Sequence, residues 1–119
     1  MTVGEFIKLL SEDTSWTAGE DFGNESDILL RKNCARIIHR YLQKVACVPD
    51  ETENLPSCAD IPDLYDCRIC APHIIQVVAQ GIMGPHETGA LKLFEGEKEV
   101  VSEEAVQYIE KASALGKTS

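Results

Sequence analysis

The layout of this chain is clearest in Asp60–Ala105, whose sequence is DIPDLYDCRICAPHIIQVVAQGIMGPHETGALKLFEGEKEVVSEEA. It contains an Asp-Ile-Pro turn, an apolar helix pattern ending at Gly81 and Ile82, a glycine-containing loop up to Phe94 and a second helix start. Parts of the same layout recur upstream, where Thr2–Phe6 opens another helix. Repetition of this kind indicates a binding module more than an enzyme.

The length and composition predict one globular domain over residues 1–119. Hydrophobic residues make up 44% of the chain and charged residues 26%, which is ordinary for a soluble protein. No apolar run approaches the roughly 20 residues that a membrane span needs. The first ten residues carry Glu5 and Lys8 inside their apolar stretch, which is not typical of a signal peptide. If the chain is complete without an export signal, we expect a cytoplasmic protein; its oligomeric state stays open.

The charge is negative overall but unevenly distributed. A net charge of -9 argues against nucleic-acid binding, which needs cations to neutralise phosphates. Five of the eleven basic residues nevertheless fall in one predicted helix. After Arg31, four of them follow at four-residue spacing and form one row on the helix surface: Lys32, Arg36, Arg40 and Lys44. The row is either an ordinary solvated face or a stripe that binds anions.

The periodicity of apolar residues predicts an all-α fold of about four helices with long loops, and gives little support to strands. A capping box formed by Thr2 and Glu5 marks the first helix start. Two connections are expected, over residues 11–25 and 47–66. The predicted helices run from about Thr2 to Leu10, from Ser26 or Asp27 to Ala46, from near Pro72 to Gly81, and from just after Ser102 to just before Gly116.

Short motifs recur in a fixed order along the chain. The turns and the loop residue are Asp60-Ile61-Pro62, Gly81-Ile82 and Phe94. The three helix openings are Thr2-Val3-Gly4-Glu5, Leu30-Arg31-Lys32-Asn33 and Val101-Ser102-Glu103-Glu104. This order resembles the S-layer homology module of bacterial cell-surface proteins, in which a Thr-Arg-Ala-Glu opening, an Asp-Val turn, a Gly-Ile turn and a loop phenylalanine follow one another. Most of the chain is covered by the resemblance.

The resemblance implies a non-catalytic anchoring module at the cell surface that binds an anionic cell-wall polysaccharide. In the family, three modules pack around a pseudo-threefold axis, and the motif arginine with its neighbours lines the glycan groove. Only Arg31 keeps that arginine, since Val3 and Ser102 stand at the other two positions. The resemblance therefore places Arg31, with Lys32 and Arg36, at the ligand. The alternative is a protein–protein interaction module with the same fold and no glycan site.

The five cysteines support another alternative, a zinc-stabilised helical module. Cys67 and Cys70 form a Cys-x-x-Cys pair, with Cys58 upstream and His73 downstream, so four soft ligands could hold zinc if they converged. The same residues could instead form a disulfide, act in redox chemistry or remain free thiols. Cys34 falls on the apolar face of the second helix and is expected to be buried. The main expectation includes no cofactor and no metal.

The sequence contains no recognisable catalytic arrangement. The three histidines, His39, His73 and His86, are scattered, and no serine or cysteine stands in a nucleophile motif. The glycines from Gly81 onward follow a helix and do not join a strand to one, so no phosphate-binding loop is indicated. His39 is expected on the surface of the second helix. We therefore do not expect an enzyme.

Overall fold

The computed structural model describes residues 1–10, 26–44, 47–50, 52, 61, 68–84, 86–88 and 91–118. Four helices within these ranges confirm the helical fold class. None of these helices is both long enough and apolar enough to cross a membrane. In chain order the elements are α1 (Val3–Leu10), α2 (Arg31–Lys44), α3 (Ala71–Ala79), β1 (His86–Thr88), β2 (Leu91–Leu93) and α4 (Ser102–Thr118).

Three helices begin side by side because the segments before them are hydrogen-bonded to one another. The amide of Leu29 donates to the carbonyl of Met1 at 3.0 Å, and the amide of Val100 donates to the carbonyl of Leu29 at 2.9 Å. Antiparallel bridges join Thr2 with Ile28 and Leu30 with Glu99. The three helix openings expected from the sequence therefore meet at one end of the domain.

The same pairing corrects the predicted start of the second helix. The sequence pattern placed it at Ser26 or Asp27, whereas α2 begins at Arg31. Residues 28–30 are extended because Leu29 bonds to Met1 and Val100 in the neighbouring segments, and helical bonding begins at the carbonyl of Leu30, which accepts from the Cys34 amide. At the other end, residues 45–46 lie outside the described part of the chain.

Local capping signals fix two other helix ends as predicted. The Thr2 hydroxyl accepts a hydrogen bond from the Glu5 amide at 3.2 Å, which caps α1. After α3, Gly81 has a positive φ of 75°, and the amide of Ile82 donates to the carbonyl of Val77 at 2.9 Å. This is the bonding of a Schellman cap, whose accompanying apolar residue, Ile82, is buried. Glycine suits the positive φ because it has no Cβ.

The hairpin of β1 and β2 was not expected from the sequence. The strands pair antiparallel, with His86 opposite Leu93 and Thr88 opposite Leu91. Three-residue strands are too short for a period-two pattern to stand out. The last helix also differs from expectation, since α4 continues through Gly116 to Thr118.

The core forms around α2, which packs against the other three helices. Helix α3 is apolar on most sides and contributes the buried Ile74 and Val77, as expected of a central helix. Cys34 is fully buried, and burial raises the pKa of its thiol well above the ordinary value, so it serves as a small apolar group. The largest buried apolar side chains are Phe6, Leu29, Ile37, Ile38, Leu42, Ile82 and Phe94.

Candidate functional site

Arg31, the first residue of α2, lies inside the domain and is 1% exposed. Its Nε donates to the carbonyl of Phe94 at 2.8 Å, one terminal nitrogen donates to the hydroxyl of Tyr108 at 2.7 Å, and the other donates to the carbonyl of Gly84 at 2.6 Å. The guanidinium carbon also lies 4.6 Å from the centre of the Phe94 ring. The carboxylate of Glu104 stands 3.9 Å away. We call these five residues the Arg31 cluster.

The Arg31 cluster joins parts of the chain that are distant in sequence. It ties the start of α2 to Gly84 before the hairpin, to Phe94 after it and to α4 through Tyr108. Tyr108 donates onward to Glu104 at 3.2 Å, and burial raises the pKa of Tyr108 although Arg31 opposes the shift. Charged hydrogen bonds shielded from water are strong, and all three guanidinium nitrogens have a partner.

The burial of Arg31 bears on its expected contact with a glycan. An external ligand has no access to a side chain that is 1% exposed while these bonds are in place. Lys32 is different, because its side chain is 24% exposed and forms an ion pair with Glu97. Arg36 is half-buried further along α2. Of the three residues expected at the ligand, the structure places Lys32 and Arg36 within reach of the surface.

Two histidines are in contact beside the basic row, His39 on α2 and His73 on α3. Nδ1 of His39 faces Nδ1 of His73 at 2.7 Å, and Nε2 of His39 lies 2.8 Å from a carboxylate oxygen of Asp50. The two rings meet edge to face, with centroids 4.9 Å apart. In an N···N hydrogen bond one nitrogen carries the proton and the other accepts it. We call His39 and His73, with Asp50, the histidine pair.

The expectation that His39 lies on the helix surface is wrong, since the residue is 5% exposed. Its position could have been read from the helix, because Ala35 and Leu42, at four- and three-residue spacing, are both fully buried. Its two partners come from other segments: His73 lies on α3, and Asp50 follows α2. No local pattern in the sequence points to them.

The electrostatic surroundings of His73 are unfavourable to a positive charge. Burial, the largest cause, acts together with His39, Arg36 and Arg40 to lower the pKa of His73 to about 4, while Asp50 acts in the opposite direction. His73 is therefore neutral near pH 7. Two half-buried arginines of the basic row, Arg36 and Arg40, thus lie close enough to the histidine pair to influence its charge.

The alternative zinc site is not assembled in the described residues. Cys70 is part of a disulfide, and a disulfide sulfur cannot act as the thiolate that zinc requires. Cys58 and Cys67 lie outside the described residues. The fourth candidate ligand, His73, faces His39. Across the described ranges, no group of three or more His, Cys, Asp or Glu side chains is placed to hold a metal ion.

Comparison with known proteins supports the fold alone. No protein-family model matches the chain, and no curated protein sequence matches it significantly. Among solved structures, the chain is similar to part of the undecaheme cytochrome from the S-layer of Carboxydothermus ferrireducens, with a TM-score of 0.64 and 17% identity. The match covers 94% of this chain but 16% of the cytochrome. The Cys-x-x-Cys pair here is followed by Ala71 and not by the histidine of a c-type haem attachment motif.

Proposed function

We propose that this domain is a non-catalytic binding and anchoring module of a cell-surface assembly. The observation that carries the proposal is the fold it shares with part of an S-layer cytochrome. The adjoining starts of α1, α2 and α4 add support, because they bring the three helix-opening motifs together. Since fold alone does not determine function, the nature of the ligand depends on the charge and shape of the surface.

The ligand we propose is an anionic cell-wall glycan, bound along the basic row of α2. Lys32, Arg36 and Arg40 lie one helical turn apart, so they can follow a linear chain of negative groups over about 12 Å. Arg31 supports this row from within, by fixing the start of α2. Because the whole chain carries a net charge of -9, attraction depends on the local row and weakens as salt rises.

Retention of the full chain on purified cell walls tests this proposal. The double substitution Arg36→Ala with Arg40→Ala should lower retention at least tenfold, and salt should lower wild-type retention. Lys111→Ala is the matched control, because Lys111 is an exposed cation on a different helix, α4, and its loss should leave retention unchanged. Circular dichroism should show that both variants are folded. The proposal fails if the wild type is not retained, or if the double variant binds equally well.

A protein partner is the second candidate, favoured by an apolar surface at the start of α3. Ile69 is 70% exposed, which is unusual for a large aliphatic side chain. A cavity of about 540 Å³ lies nearby, lined by Arg68, Ala71, Pro72 and Ile75. Cell walls from which the glycan has been extracted separate the two candidates. Retention on extracted walls that is abolished by Ile69→Asp would favour a protein partner.

A further inference from the structure

In the histidine pair, a hydrogen bond joins two imidazole nitrogens, which are the atoms that bind transition metals in proteins. Nδ1 of His39 and Nδ1 of His73 point at each other at 2.7 Å. Around a tetrahedral ion with metal–nitrogen bonds of about 2.0–2.1 Å, two imidazole nitrogens stand about 3.3 Å apart. To admit an ion, the nitrogens must separate by about 0.6 Å and the two rings must turn so that both lone pairs point to one position beside the line that joins them. We propose that His39 and His73 bind a divalent transition-metal ion through these two nitrogens.

Asp50 orients one of the two ligands. Its carboxylate lies 2.8 Å from Nε2 of His39 and accepts the proton on that nitrogen, which leaves the Nδ1 lone pair directed towards His73. A carboxylate behind a metal-binding imidazole is the usual supporting arrangement in metalloproteins. On binding, the proton of His73 moves from Nδ1 to Nε2, so that ring releases no proton when it takes up the ion.

The ligand chemistry restricts which ion fits. Imidazole nitrogen favours zinc, copper and nickel over magnesium and calcium, which prefer oxygen. No third protein ligand converges on the pair within the described ranges, so water would complete the coordination. The ion can enter beside His73, which is half-buried, whereas the side chain of His39 is 6% exposed.

The neighbouring charges limit the affinity. Arg36 and Arg40 lie close enough to affect His73 and repel a cation, whereas Asp50 attracts it. Removing one arginine should therefore tighten metal binding. The same substitution should weaken the binding of an anionic glycan. Arg40→Gln should therefore raise the affinity for the metal ion and lower the affinity for the glycan.

Zinc titration of the full chain by calorimetry at neutral pH tests the metal site. We expect one zinc ion per chain, at least tenfold weaker binding after His73→Gln or His39→Gln, and severalfold tighter binding after Arg40→Gln. His86→Ala removes the third imidazole of the chain and should leave the affinity unchanged. Absence of zinc binding, equal affinity after His73→Gln, or loss of binding after His86→Ala would each overturn the proposal.

Imidazole nitrogen NMR of the wild-type protein gives a test that does not depend on the folding of a variant. Zinc should shift the Nδ1 signals of both His39 and His73, while Nε2 of His39 keeps its bond to Asp50. Shifts confined to Nε2 nitrogens, or to His86, would contradict the proposed site.

Discussion

The Arg31 cluster and the histidine pair are both buried polar groups held by α2, about 12 Å apart along the helix, yet they differ in how they are completed. Each guanidinium nitrogen of Arg31 donates to an oxygen of the protein. The histidine pair ends in a half-buried imidazole and a carboxylate that is 42% exposed. Burial separates the Arg31 cluster from the solvent, whereas the histidine pair is open enough to exchange protons and ions with it.

The largest expected effect comes from removing the guanidinium group of the Arg31 cluster. Arg31→Met should lower the free energy of unfolding by about 3–5 kcal/mol, because the carbonyls of Gly84 and Phe94 lose their charged donor in a buried setting. Urea denaturation followed by circular dichroism measures this change.

Lys32→Met is the matched control, since Lys32 is the next residue and makes a partly exposed ion pair with Glu97. Its removal should change the stability by less than about 1 kcal/mol. If Arg31→Met costs no more than Lys32→Met, then the bonds of Arg31 do not stabilise the fold, and its role as a ligand-binding residue regains support.

Features held by local contacts were predictable from the sequence, whereas those held by distant contacts were not. The cap at Thr2 and the stop at Gly81 were predictable because their partners lie within a few residues. The burial of Arg31 was not, since its partners Phe94 and Tyr108 are 63 and 77 residues away in the chain. An arginine at a helix start is ordinarily exposed, and only the fold brings acceptors around it.

The candidate site likewise has features that were predictable from the sequence and features that were not. The basic row followed directly from four-residue spacing, and burial of His39 could have been inferred from its apolar neighbours on the helix. The contact of His39 with His73 depends on how α3 packs against α2, and the contact with Asp50 depends on the chain after α2. Neither contact produces a periodic pattern in the sequence.

The second prediction concerns the response of the histidine pair to acid. His73 has a folded-state pKa of about 4 against an ordinary value of 6.5, so the unfolded chain takes up the proton first as pH falls. The stability contributed by neutral His73 is therefore complete above pH 6.5 and is lost as the pH falls towards 4. Allowing for screening by solvent, the loss should be on the order of 2 kcal/mol.

Urea denaturation across this pH range, with a chelator present, measures the acid response. Carboxylates titrate in the same window, so the informative quantity is the difference between the wild type and His73→Gln. The variant should show a shallower decline in stability between pH 6.5 and 4. Parallel curves would mean that protonation of His73 does not change the free energy of unfolding. The histidine pair would then be as insensitive to acid as a cluster shielded from the solvent.

The smallest expected effect comes from removing one hydroxyl group from the Arg31 cluster. Tyr108→Phe removes the hydroxyl that accepts from Arg31 and donates to Glu104, and should cost about 1 kcal/mol. The loss is limited because the Glu104 carboxylate, 3.9 Å from Arg31, can move in to accept the freed hydrogen bond.

Combining Tyr108→Phe with Arg31→Met decides whether the cluster acts as one unit. If the hydroxyl stabilises the protein through Arg31, then its removal should cost little in the Arg31→Met background, and the two effects should fall short of their sum. Strict additivity in urea denaturation would show that Tyr108 and Arg31 stabilise the fold separately. The cluster would then be a set of independent bonds, and the contrast with the histidine pair would rest on burial alone.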